Sequence, residues 1–124
     1  MKTLSLLLIV FATTSCTHSI NSITVPAKIK FNTDDINNQG LRGTPSSLRA
    51  VAYEFCIPSN QTTVEELQAI DPSIVLYPKS RGRINCSDAE TLAIGNTHQA
   101  QWKSVLFELA SQHYIAAIHE TVFE

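Results

Sequence analysis

Three cysteines, four histidines and three closely spaced cations are the side chains of this 124-residue chain best suited to chemistry. Cys16, Cys56 and Cys86 offer thiols for a covalent bond, His18, His98, His113 and His119 offer imidazoles for a metal, and Lys79, Arg81 and Arg83 offer positive charge to an anion. The histidines match none of the spacings that metal sites use. His98 and His113 fall at opposite ends of one expected helix, about 22 Å apart at 1.5 Å per residue, too far for a shared ion. His113 then suits the negative end of that helix dipole. Neither a metal nor a cofactor is expected.

Catalytic patterns are equally sparse. No nucleophile stands beside a recognisable base, and no pair of facing carboxylates can be picked out, so the sequence leans away from an enzyme. His98 and Gln99, at the start of a helix, are the one polar pair worth testing. Cys56 and Cys86 lie about thirty positions apart without the C-x-x-C context of a redox pair, which points to a structural role. Trp102, with Tyr53, Phe55 and Phe107, reads as core packing.

The chain opens with Met1, Lys2 and Thr3, followed by a largely apolar run from Leu4 to Ala12 and then Thr13, Thr14, Ser15 and Cys16. One positive charge, about nine greasy residues and small residues behind them make a secretory signal, because a spanning helix needs about twenty apolar residues. The stretch Thr13-Thr14-Ser15-Cys16 resembles the lipobox of bacterial lipoproteins, with Thr13 where that family usually carries leucine. The resemblance covers the leader alone. It implies that residues 1–15 are removed, that Cys16 carries a diacylglyceryl thioether, and that the mature protein is held at the membrane by lipid rather than by a span. Thr17, not an aspartate, follows the cysteine, which by that family's sorting pattern implies the outer membrane. Ordinary cleavage without lipid is the alternative.

Apolar residues make up 44% of the chain and charged residues 16%, a globular composition with room for one domain. The net charge of −2 gives no general field toward nucleic acid or an anionic membrane surface, so any basic site is local. With Cys16 assigned to lipid, Cys56 and Cys86 remain as an even pair in an oxidising compartment, where a disulfide is the default and two buried free thiols are the rival.

Residues 16–46 are rich in Ser, Thr and Asn, with scattered Gly and Pro, and have the composition of a linker or tether. Alternation over residues 23–31 allows a short extra strand, limited to an edge by Pro26. From residue 47 to 124 the periods sharpen. Val51 to Ile57 alternate as a strand; Val64, Leu67 and Ile70 stripe a helix opened by a capping box of Thr62 with Glu65 or Thr63 with Glu66 and closed by Asp71-Pro72. Ile74 to Tyr77 and Thr91 to Ile94 are strands, and Lys79 to Asp88 joins them as a turn or hairpin tip. Trp102, Val105, Leu106, Leu109 and Ala110 mark a second helix capped by Asn96 or Thr97, and Tyr114 to Phe123 form a last strand.

The order β-α-β-β-α-β predicts an α+β domain of the ferredoxin-like type, a four-stranded antiparallel sheet with two helices on one face. Right-handed crossovers put the first and third strands side by side in the middle. Cys56 and Cys86 then meet at one end of the sheet, where a disulfide is feasible. Lys79, Arg81 and Arg83 share that end with the N-terminus of the first helix, a candidate anion site whose bland counterpart is a charged hairpin guarding a sheet edge. Glu54 on a central strand falls on the face without helices, where solvation is its simplest fate.

The expected function is that of an exported, lipid-anchored envelope protein, in the periplasm or at the outer membrane, that binds a macromolecule, with a protein as partner and no nucleic acid. A small anion- or metabolite-binding module, or an inhibitor or immunity protein of an envelope enzyme, are the alternatives.

Overall fold

A computed structural model describes residues 27–123, so the leader, Cys16 and His18 lie outside the described residues. The chain forms β1 (Leu41–Thr44), β2 (Ser47–Ala50), β3 (Ala52–Pro58), α1 (Gln61–Ile70), β4 (Val75–Tyr77), β5 (Glu90–Asn96), α2 (Trp102–Ser111) and β6 (His119–Glu120). β1 and β2 pair as a separate antiparallel hairpin, and the remaining strands form one antiparallel sheet in the order β4-β5-β3-β6. The fold is thus α+β, and β3 and β5 are central and adjacent as the crossover argument requires.

Alternation along β3 sends Tyr53, Phe55 and Ile57 to one face and Glu54 and Cys56 to the other, because successive side chains of a strand point to opposite sides. The first set merges with Leu67 of α1 and with Trp102, Leu106, Leu109 and Ala110 of α2 in one buried cluster, so both helices cover that face. Phe31 joins from the N-terminal side by stacking on the Tyr53 ring at 6.5 Å. Leu92 and Cys86 are also buried but lie outside this cluster, on the outer side of the sheet.

Several boundaries differ from the sequence reading, each for a local reason. The cap of α1 is Asn60, whose Oδ1 accepts from the Thr63 backbone N–H at 2.8 Å, so the helix starts earlier than a Thr62 or Thr63 cap allows. α2 starts at Trp102, with no capping side chain from Asn96 or Thr97. Those two residues are used elsewhere: Asn96 Oδ1 accepts from the His98 N–H at 2.9 Å, and the Thr97 hydroxyl donates to the Gly40 carbonyl at 2.6 Å. The last strand shrinks to two residues because β6 reaches β3 only through Tyr53–Glu120 and Glu54–His119.

The stretch with linker composition is folded where it is described. Ile36 is buried, Asn37 turns the chain by accepting from the Gln39 and Leu41 N–H groups, and the β1–β2 hairpin follows. The folded unit therefore reaches well to the N-terminal side of residue 47. Of the expected strand over residues 23–31, Ile29 makes a single parallel bridge to Ile118, flanked by two backbone hydrogen bonds of 2.8 Å. Residues 23–26 lie outside the described residues.

Candidate binding face

The sheet face turned away from the helices carries Glu54 and Cys56 of β3, Leu92 and Ile94 of β5, Val75 and Tyr77 of β4, and His119 of β6, as the register of paired residues requires. The loop between β4 and β5 folds over one end of this face. It is fixed there by the Cys56–Cys86 disulfide, whose Cα atoms are 5.5 Å apart, and by the Cys86 N–H donating to the Arg81 carbonyl at 2.8 Å. The turn needs a left-handed residue at Gly82, with φ of 64°. A Cβ at Gly82 would come within 2.8 Å of the Leu92 side chain, so the loop lies directly on the sheet.

Between this loop and the C-terminal segment the face leaves a hollow of about 520 Å³. Glu54, Leu92 and Ile94 form its floor, Arg81, Gly82 and Arg83 one wall, and Thr121, Val122 and Phe123 the other. A second hollow continues past Glu54 toward Ile84 and His119. Val122 and Phe123, which line the hollow, are exposed, Phe123 at 72%, as are Val75 and Tyr77 beside Ile94 and Leu92 on the same face.

Glu54 is the unexpected member of this site. It is only 4% exposed, since the loop and the C-terminal segment shield a position that would be solvated on a bare sheet. Arg81 pairs with Asp88, and Arg83, also in the wall, is engaged in a contact of its own. Lys79 is exposed and is not part of the wall. The structure thus separates the three cations: the two arginines face the hollow and the lysine does not. The N-terminus of α1 does not line it either, and its Thr63 N–H is already taken by Asn60.

The chain matches no protein-family model, no curated protein and no solved structure.

The histidines are dispersed. His98 is exposed in the turn before α2, His113 packs edge-on against Tyr114, and His119 lies across from Glu54 in the β3–β6 pair. Among the described residues no group of three or more His, Cys, Asp or Glu side chains is arranged to hold a metal ion. Gln99 has a structural use: its Nε2 donates to Asp71 Oδ1 at 3.0 Å. The same carboxylate accepts from the Tyr53 hydroxyl and from the N–H and hydroxyl of Ser73. Burial, then the neighbouring Asp71 charge, pushes the Tyr53 phenol well above its ordinary value of 10.0. This knot ties β3, the end of α1 and the turn before α2 together, and sequence patterning gave no sign of it beyond an aspartate at a helix end.

On the opposite flank, Arg42 of β1 makes a two-pronged contact with Glu120 of β6, which docks the hairpin onto the sheet. The Glu120 hydrogen bond raises the Arg42 guanidinium above its ordinary value and keeps it charged.

Proposed function

We propose that this is an exported envelope protein, tethered by a lipid on Cys16, whose ferredoxin-like domain docks a protein partner on the outer face of its sheet. The observation that carries the reading is that Val75, Tyr77, Val122 and Phe123 are all exposed on this side of the sheet, Val122 and Phe123 beside a hollow lined also by two arginines and Glu54. Large apolar side chains exposed together on one face mark a surface that binds another protein, with charged groups beside them for orientation. In this reading a lipid on Cys16 supplies the anchor. The leader pattern and the oxidised Cys56–Cys86 pair agree with export.

The test is site-specific crosslinking in the envelope. A photo-reactive residue at Tyr77 or Val122 should give a discrete protein adduct, while one at Lys103, exposed on α2, should not. Equal adducts from both faces, or none from the outer face, overturn the reading. Intact mass with and without reductant reports the leader cleavage, the lipid and the disulfide together.

A second reading is favoured by one observation. Arg81 and Arg83 line the same hollow, which suits a small anion or metabolite. An inhibitor or immunity role for an envelope enzyme would use the same face and is separated by a rate assay.

A further inference from the structure

We propose that the hollow seats a lysine or arginine side chain of the protein partner, with Glu54 as its counter-ion; this rests on the docking reading above and names the chemistry of the docked residue. Glu54 is nine-tenths buried and lines both hollows on the outer face. Among the described residues it accepts no hydrogen bond and forms no ion pair. A carboxylate whose side chain is largely enclosed while its oxygens have no protein partner is placed to receive a cationic group entering the hollow.

The surroundings fit a cation on an apolar stem. Leu92, Ile94, Val122 and Phe123 offer the methylene chain a greasy sleeve, and long basic side chains bury their stems while placing the charge at the end. Arg81 pairs with Asp88 and Arg83 is engaged as well, and Glu54 is the acidic side chain that lines the hollow. An ammonium brings three donors and a guanidinium five.

The experiment titrates the full protein, labelled at Ile, Leu and Val methyl groups, with n-butylamine and n-butylguanidinium as stand-ins for the two side-chain ends. n-Butanol and acetate serve as the uncharged and anionic controls. Both cations should shift Leu92, Ile94 and Val122, and Glu54→Gln should weaken them about tenfold or more while butanol binds both proteins alike. Equal cation affinity for the two proteins, or shifts from acetate alone, overturns the proposal. Ile94→Lys is the second variant: Ile94 pairs with Glu54 across β3 and β5, so a lysine there should supply the ammonium from within and abolish the response to butylamine. An unchanged response in that variant overturns the proposal as well.

Crosslinking separates this idea from the docking reading. If Tyr77 still captures the partner in Glu54→Gln with undiminished yield, the basic anchor is wrong and docking stands. If Tyr77 captures nothing in the wild-type protein, docking itself is wrong.

Discussion

Cys56 in the middle of the sheet and Cys86 in the loop after β4 are bonded across a sequence separation of 30 residues, which holds that loop against the outer face of β3. The bond closes a long loop, so on the chain-entropy account it stabilises the domain by about 3–4 kcal/mol. Paired replacement by alanine and serine should lower the urea midpoint accordingly. The amides of residues 81–86 should lose hydrogen-exchange protection more than those of β5. A midpoint unchanged in the double variant would mean that the loop is held by its contacts with Leu92 alone.

Tyr53 predicts an alkaline limit. Its phenol is raised in the folded protein, so the stabilisation is fully present below the unfolded value near 10 and is lost as pH rises toward the folded value. Unfolding free energy should therefore start to fall above about pH 10, in the window where an unfolded tyrosine ionises and the buried one does not. Tyr53→Phe should cost about 1–3 kcal/mol at neutral pH through the Asp71 contact, and its decline above pH 10 should be shallower. Parallel pH profiles for the two proteins would remove Tyr53 from the explanation.

The junction between the hairpin and the sheet leaves no room for a side chain at Gly40. Gly40 has φ of 77°, and a Cβ there would sit 1.6 Å from the Thr97 carbonyl oxygen, so no side chain fits without moving the turn. Thr97 is fully buried, donates to the Gly40 carbonyl and accepts from the Val51 N–H at 2.9 Å. Thr97→Val keeps the shape and strands both partners, at a cost of about 1–3 kcal/mol for each group left unpaired. Gly40→Ala should destabilise at least as much, and thermal melts of the two variants decide the order.

The period of apolar residues made the central strands and both helices legible, because Phe55 and Ile57 must share a face with Ala93, and Leu67 must meet the same face as Leu106. Register then followed for Cys56 and Cys86. Tertiary choices were not legible. Composition could not show that Ile36 and Gly40 would be buried, since a Ser- and Asn-rich stretch can fold when a neighbour such as the Thr97 hydroxyl satisfies its backbone. Helix starts moved because several side chains within a few residues can cap, and geometry chose Asn60 for α1 and none for α2. Glu54 was placed on the correct face by alternation, yet its burial depends on a loop folding back, which strand periodicity does not contain.

Arg81 separates stability from binding. Its pair with Asp88 is solvent-exposed, with side chains 59% and 91% accessible, and such pairs contribute about 0–1 kcal/mol. Arg81→Ala should therefore leave the melting temperature nearly unchanged. If the hollow instead serves a small anion, inorganic phosphate at a hundred times its Kd would stabilise the wild-type protein by about 2.7 kcal/mol. That gain should vanish when Arg81 and Arg83 are both replaced by alanine. A wild-type protein indifferent to phosphate, whose outer face nevertheless crosslinks to a partner, would leave the arginines as part of the frame around Glu54 and not as an anion receptor.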